Sequence, residues 1–326
     1  MGEGSATIAS PGASPAGVQP PLVVIGGPTA TGKTALAIEI ALAIRAGGRP
    51  AAVISADSRQ VYRGMDVGTA TPTVAECRGV PHHGLDLVEP DRPFSVADFV
   101  DHVTGVLADL AAADGVALLV GGTGFWIAAI VGGLAVDRLP WDPARRAALE
   151  ADLARDGLPS LVTRLRELAP GLAGRIDLRN PRRVVRALEI ASLAGDAPLP
   201  EPRGYDGPTL RVGLDVADHA KHRSRIARRS EAQLDGGILP EAARLRASFD
   251  PGLPAFSAIG YREAWDLLDG RLDRAGYLEV NVRRNVAFAR RQRTWFRREP
   301  VDLALDAAEA GAVRRALDAA RAFVGS

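Results

Sequence analysis

A chain of 326 residues, 47% apolar and 24% charged, carries enough apolar surface for a large core and one or two domains. A single cysteine, Cys77, excludes an internal disulfide and a cysteine-based metal cluster, as suits a reducing cytosol, and the apolar runs are too short for a membrane helix. The net charge of +1 conceals a strong local imbalance near the carboxyl end.

Residues 1–20 are rich in Gly, Ala, Ser and Pro, without a basic patch followed by an apolar stretch, and read as a disordered lead rather than a secretory signal. Residues 22–25 (LVVI) predict a buried strand. It runs into Gly27-Pro28-Thr29-Ala30-Thr31-Gly32-Lys33-Thr34, which fits G-x-x-x-x-G-K-[ST], the phosphate-binding loop. The chemistry explains the spacing. Two glycines permit a tight turn whose N–H groups face a polyanion, and the following helix directs its positive end to the same point. Lys33 adds a full charge, and the Thr34 hydroxyl can hold Mg²⁺. The loop alone does not say whose phosphates it holds.

A helix is predicted over 34–45, ended by Gly47-Gly48, and a second apolar strand over 51–55. Ligands of an open α/β sheet sit beyond the carboxyl ends of its strands, so Asp57 is expected beside the phosphate loop. A structural capping role for Asp57 is the alternative. Residues 64–95 lack periodicity and read as a long loop over the site; the pair His82-His83 has no partner at metal-ligand spacing. A helix follows to about residue 112, then a buried strand over 116–120 with the exit turn Gly121-Gly122-Thr123-Gly124. A motor or switch NTPase would be expected to place a carboxylate at that strand end. Its absence favours a group transferase that uses the loop as a pyrophosphate cradle.

Residues 133–204 are helical, charged and Arg-rich, with breaks at Pro159, Pro170-Gly171 and over 198–202. The chain therefore reads as α/β: a P-loop NTPase-like parallel sheet flanked by helices over 21–132 and 205–326, with a small inserted all-helical domain over 133–204. The returning part starts with a strand over 210–214. Helices then follow over 219–234, 240–248, 261–268, 274–295 and 307–324.

The positive charge concentrates in residues 283–298, RRNVAFARRQRTWFRR, with no acidic residue between Glu279 and Glu299. Val282, Ala289 and Phe296 recur every seven residues and supply an apolar stripe, leaving a broad cationic face. Such a face suits a phosphate backbone, and Trp295 or Phe296 could stack on a base. A second basic cluster, Arg179, Arg182, Arg183 and Arg186, stands in the inserted domain. Two cationic patches in two domains point to folded nucleic acid.

The blocks GPTATGKT (27–34), SADSRQVYRGMDVGTATP (55–72), VPHHGLDLVEP (80–90), LVGGTGFW (119–126), NPRRVVRALEI (180–190), AIGYREAW (258–265) and ARRQRTWFR (289–297) occur in this order. By them the chain resembles the bacterial tRNA dimethylallyltransferase (tRNA isopentenyltransferase) family across roughly residues 21–298. The resemblance implies transfer of a dimethylallyl group from dimethylallyl diphosphate to the exocyclic amino nitrogen of the adenosine 3′ of the anticodon, with Mg²⁺ assisting. It implies Asp57 as base, Thr123 near the reaction centre, and Lys33 with Gly27–Thr34 and His219 on the diphosphate. The implied tRNA contacts are Asp57, Ser58, Arg59, Gln60, Thr123, Arg146, Arg182, Arg183, Arg186, residues 257–262 including Gly260, Tyr261 and Arg262, and Arg290, Arg291, Gln292, Trp295 and Arg297. A cytoplasmic monomer acting on tRNA, with no membrane partner, is the expected setting.

Where the family pattern over 219–229 is R-x-x-L-x-x-R-I-x-x-R, this chain has His219 and His222 but keeps Arg225, Ile226 and Arg229. Asn285 and Val286 replace a usual Thr-Arg pair, and Thr71 replaces a Lys. A catalytically weakened RNA-binding homologue and an adenylate (cytokinin-type) prenyltransferase are the alternatives. A small-molecule P-loop kinase would leave both basic patches unexplained.

Overall fold

The structure is a computed structural model that describes residues 19–132, 139–196 and 203–325. Most of the lead read over 1–20, the boundary at Gly133 and the breaks over 198–202 lie outside them.

Six strands form one parallel sheet: β1 (Leu22–Gly26), β2 (Ala51–Ser55), β3 (His82–His83), β4 (Val116–Gly121), β5 (Thr209–Asp215) and β6 (Leu303–Asp306). Their order is β3-β2-β4-β1-β5-β6. Every residue of β1, β2 and β4 is buried. That is the continuous apolar composition required of parallel strands covered on both faces. β1 pairs with β4 from Leu22↔Ala117 to Gly26↔Gly121 and with β5 from Leu22↔Thr209 to Gly26↔Gly213. The turn that leaves β1 thus emerges between β4, which ends level with it, and β5, which runs two residues further to Asp215. α1 (Lys33–Ala46) covers this sheet with Leu36, Ile40 and Ile44, joined by Ala316 and Ala320 of α12 (Ala312–Gly325).

The described chain falls into two compact units. One takes in the described parts of Met1–Pro93, His102–Gly124 and Asp206–Ser326, the other those of Phe94–Asp101 and Phe125–Tyr205. The first holds the sheet. Besides α1 and α12 it contains α2 (Val74–Cys77), most of α3 (Val96–Ala112), and α8 (His219–Asp235), α9 (Ile238–Ser248), α10 (Tyr261–Leu268) and α11 (Arg274–Phe296).

The second unit is helical, built on α4 (Gly124–Val131), α5 (Pro143–Leu168), α6 (Pro170–Ala173) and α7 (Pro181–Ala194). Asp142 and Asn180 cap α5 and α7 by accepting two backbone N–H groups each, and a proline follows each cap at the first helical position. Leu149, Leu161, Leu165, Val184 and Leu188 form its core. The break in α5 falls at Gly157, whose φ of 77° is left-handed, two residues before the expected Pro159. This unit is larger than the predicted insertion because the Trp126 ring stacks on Phe99 at 4.3 Å and leans on Phe94 at 5.8 Å.

Several elements differ from the sequence reading. The stretch 64–95 contains α2, closed by a Thr73–Glu76 capping box, and the two-residue strand β3 on the sheet edge. β6 and α4 were not expected. β6 has only four residues with one buried, too short to show a period, and the final helix begins at Ala312 rather than 307.

Candidate functional site

The turn after β1 holds three residues in constrained backbone positions. A Cβ on Gly27 would stand 2.0 Å from the Leu214 carbonyl oxygen, so only glycine fits where the loop passes β5. Gly32 has φ 92° and caps α1 in the left-handed region. Ala30, which has a Cβ, is also left-handed at φ 61°. Thr29, Ala30, Gly32, Lys33 and Thr34 line a cavity of about 310 Å³, walled further by Ser55, Asp57, Gln60, Thr69, Ala70, Gly121, Gly122, Arg225, Arg229 and Gln292. Gly27, Pro28 and Thr31 are buried and are not among the lining residues; the Thr31 hydroxyl donates to Pro28 O at 3.0 Å.

Lys33 Nζ donates to Pro28 O at 2.6 Å. Burial pulls its ammonium down to a pKa of about 8; Asp57 resists that shift and Arg229 adds to it. Burial likewise lowers Arg229, against the attraction of Asp57. The cavity therefore gathers cationic groups around one carboxylate, the balance a polyanion would complete.

Thr29 is held at every polar atom by helices far along the chain. Its N–H donates to Gln292 Oε1 at 2.8 Å, its hydroxyl accepts from Arg229 at 2.6 Å, and its carbonyl accepts from His222 Nε2 at 2.8 Å. Arg229 also donates to Asn285 Oδ1 at 3.1 Å, and Arg225 donates to Ala307 O at 2.8 Å. Arg293 donates to His222 Nδ1 at 2.9 Å and to both oxygens of Asp215 at 2.7 and 2.8 Å. Burial alone would raise Asp215, but the Arg293 fork and the Val216 N–H hold it below the ordinary range. Of these bracing groups the sequence reading passed over Asp215. The members on α8 carry a signal in their spacing: His222, Arg225 and Arg229 fall three and four residues apart on one face of that helix.

Asp57 stands at the carboxyl end of β2 and lines the cavity. One of its oxygens accepts from Arg59 N at 2.9 Å, so the carboxylate also closes a local turn. Thr123 stands beside that turn: its hydroxyl accepts from Ser58 N at 3.2 Å and its N–H donates to Ala56 O. Three glycines make this packing possible. A Cβ on Gly121 would meet Ala56 O at 2.1 Å, on Gly122 the Gln292 amide at 2.2 Å, and on Gly124 the Trp295 indole at 2.2 Å. β4 ends in Gly121 and carries no carboxylate.

Other predicted residues are placed elsewhere. His219 is exposed as the first residue of α8 and does not line the cavity; the cations that do are Lys33, Arg225 and Arg229. Its expected place on the diphosphate has no counterpart among the residues that line this cavity. Tyr261 is fully buried and its hydroxyl donates to Glu241, which also accepts the N–H groups of Asp66, Val67 and Gly68. Tyr261 thus holds the loop bearing Thr69 and Ala70 and has no surface for RNA. Gly260 is buried too, its N–H given to Glu263, while Arg262 and Ser257 are exposed. Gln292 is an internal brace, and Gln60 is buried between Ser55 and the carbonyls of Thr69 and Ala70. Arg59 is half-buried and donates to Pro254 O.

Arg290 and Arg291 on α11 and Arg297 at its carboxyl cap are exposed and form no ion pair among the described residues, and Trp295 is 37% exposed. Arg284 pairs with the buried Glu263 and Arg293 with Asp215, while Arg283 pairs with Glu279 at the surface, so three of the seven arginines of the cationic run have a carboxylate partner. Phe296 lies over Gly26, as its place in the apolar stripe requires.

Within the helical unit, Arg182 and Arg183 are exposed. Arg146 and Arg186 are half-buried and both donate to the fully buried Glu189, at 2.6 and 2.8 Å. Burial would raise Glu189, but these bonds and the Asp142 N–H keep it below the ordinary range. Arg146 and Arg186 are therefore tied to the unit's own interior while each keeps part of its side chain exposed.

No three His, Cys, Asp or Glu side chains among the described residues come together as a metal site, and His82-His83 belongs to β3. The oxygens of Thr34 and Asp57 on the cavity wall fit a hard cation that keeps few protein ligands and takes the rest from phosphate and water.

Known proteins resemble this chain in sequence and in fold. The sequence pattern described as IPP transferase matches residues 60–299, and that described as Isopentenyl transferase matches 20–86. A tRNA dimethylallyltransferase of Roseiflexus sp. (strain RS-1) is 43% identical over 88% of this chain and 93% of its own. One of Burkholderia cenocepacia (strain HI2424) is 40% identical over 90% and 92%. The crystal structure of a full-length tRNA isopentenylpyrophosphate transferase from Bacillus halodurans superposes with a TM-score of 0.68 at 33% identity, covering 93% of this chain and 95% of that one. A eukaryotic dimethylallyltransferase acting on tRNA shares the fold at a TM-score of 0.74 and 21% identity, over 94% of this chain and 80% of that one. With a phosphate loop after β1, no carboxylate on β4 and a pattern match across most of its length, the chain belongs to the IPP transferase family.

Proposed function

We propose that this protein is a tRNA dimethylallyltransferase. It transfers the dimethylallyl group of dimethylallyl diphosphate to the exocyclic amino nitrogen of the adenosine 3′ of the anticodon, as a cytosolic monomer. The observation that carries this reading is the cavity in which the Asp57 carboxylate and the Lys33 ammonium share one wall with the phosphate loop.

The amino group of adenine is a poor nucleophile, so its proton must leave as the new bond forms. In the proposed step the nitrogen lone pair forms a bond to C1 of the dimethylallyl group. The C1–O bond breaks, its electron pair leaves with diphosphate, and Asp57 takes the amino proton. Diphosphate carries the growing charge, which the loop N–H groups, Lys33, Arg225 and Arg229 offset. Thr34 would hold Mg²⁺, which when bound neutralises further charge on the leaving oxygens. The adenosine must leave its stack to reach the donor, and the exposed Arg290, Arg291 and Arg297 with Trp295 supply charge and a stacking face for the RNA. Arg182 and Arg183 of the helical unit are the second cationic contact.

The reading is tested with radiolabelled dimethylallyl diphosphate offered to the protein with unmodified tRNA or with AMP. Label in tRNA at the expected adenosine is the predicted result. Label only in AMP would make the protein an adenylate prenyltransferase, and tRNA binding without label would leave it an RNA-binding protein.

A further inference from the structure

His222 is 3% exposed and stands between two partners whose chemistry admits only one form of its ring. Nε2 lies 2.8 Å from Thr29 O, and a carbonyl oxygen only accepts, so Nε2 carries the hydrogen. Nδ1 lies 2.9 Å from an Arg293 nitrogen, and a guanidinium only donates, so Nδ1 carries a lone pair. Arg293 is itself anchored by two bonds to Asp215 at the end of β5. A continuous chain of donors thus runs from the sheet through Arg293 and His222 to one carbonyl of the phosphate loop.

That carbonyl belongs to the peptide between Thr29 and Ala30. In a trans peptide the C=O and the following N–H point in opposite directions. Holding Thr29 O against His222 therefore turns the Ala30 N–H away from α8. Ala30 lines the cavity, and its N–H has no protein acceptor among the described residues. Ala30 also sits at φ 61°, a conformation costly for any residue with a Cβ. Rotating this peptide plane by a half-turn would bring Ala30 to an ordinary extended φ and reverse its N–H. The loop is thus under a standing pull toward a form that offers the cavity a carbonyl in place of an N–H.

We propose that His222 is a positioning residue that opposes this peptide flip and keeps the Ala30 N–H directed at the donor's diphosphate. The proposal rests on the reading of the loop as a diphosphate cradle. His222 touches no reacting atom; it acts through Thr29.

The test uses the full chain, inorganic diphosphate as calorimetric probe, and donor KM and kcat in the tRNA reaction. His222→Leu loses the donor and is expected to weaken diphosphate and raise donor KM about tenfold, with kcat and tRNA affinity little changed. His222→Gln places an amide N–H near the Nε2 position and an acceptor toward Arg293, and should recover most of the loss. Adding Ala30→Gly to His222→Leu lowers the cost of the left-handed form and should recover part of it, an effect that general loosening of the fold would not produce. Long-range ¹H–¹⁵N spectra of the wild type should show the Nε2–H tautomer, identified by the signal lost in His222→Gln. Diphosphate binding by His222→Leu equal to wild type, or an Nδ1–H tautomer, overturns the role of His222 alone. Failure of the wild type to bind diphosphate overturns the loop reading and this proposal with it.

Discussion

Thr29 and Gln292 are 263 positions apart in sequence and joined by one hydrogen bond of 2.8 Å from the Thr29 N–H to Gln292 Oε1. The other end of the same amide donates to Gly122 O at 3.0 Å. One buried side chain on α11 therefore ties the phosphate loop to the glycine turn after β4. Gln292→Leu has similar bulk but leaves a buried N–H and a buried carbonyl unpaired, a cost of about 1–3 kcal/mol for each group. The expected outcome is a lowered unfolding midpoint and weaker diphosphate binding with tRNA affinity unchanged. Gln292→Glu should harm diphosphate binding more, because it sets an anion on the cavity wall. A selective loss of tRNA binding in either variant would restore Gln292 to the RNA contacts.

Lys33 offers a pH dependence with a definite sign. With its pKa lowered by burial from 10.5 to about 8, it is charged below that pH and neutral above it in the free protein. Diphosphate affinity should fall as pH rises through about 8, and binding above that pH should take up a proton, visible as a buffer-dependent heat. Lys33→Arg keeps its charge and should lack this contribution. For stability the direction is opposite. Between about 8 and 10.5 the unfolded chain binds a proton at Lys33 that the folded chain does not, so this residue's contribution rises with pH across that window.

What could be read from the sequence follows from how local each signal is. The phosphate loop, the strands over 22–25, 51–55 and 116–120 and most helices announce themselves within a few neighbouring residues, and the structure has them. β6 and β3 depend on pairing partners across the sheet, and nothing in four or two residues reveals that. The same limit governs the site. Asp57 was expected beside the loop from the end of β2, but a run of arginines does not disclose which members meet a buried carboxylate. Arg284 meets Glu263 and Arg146 meets Glu189, so both are spent inside the fold. His219 and His222 differ by three positions, and only the helix start at His219 decides which one reaches the loop.

The division of α11 into an inner and an outer face predicts a division of phenotypes. Arg290 and Arg291 are exposed without ion pairs among the described residues, and their joint replacement by alanine should lower tRNA affinity and flatten its salt dependence. Two lost phosphate contacts reduce the slope of log K against log salt by about 1.4–1.8. Diphosphate binding should be untouched. Arg284→Ala should instead lower the unfolding midpoint, because it strands the buried Glu263, and leave the salt slope as it was. An unaltered slope in the double variant would move the RNA contact away from this face.

Asp57 carries two assignments that one pair of variants separates. Its side chain accepts the Arg59 N–H at 2.9 Å, a turn-closing bond, and it faces the cavity as the proposed base. Asp57→Asn keeps an oxygen for the Arg59 N–H but cannot take a proton at neutral pH; Asp57→Ala keeps neither. If the carboxylate is the base, both should lose turnover by about 10²-fold or more, with tRNA binding intact. If it only closes the turn, Asn should retain turnover and Ala alone should suffer, in stability as well as rate. The Asn variant has a second expected consequence. The Asp57 charge resists the fall of the Lys33 pKa, so its removal should shift the alkaline loss of diphosphate affinity to lower pH. A measured shift in that direction, together with the loss of turnover, would place the carboxylate electrostatically at the phosphate site and chemically at the transferred proton.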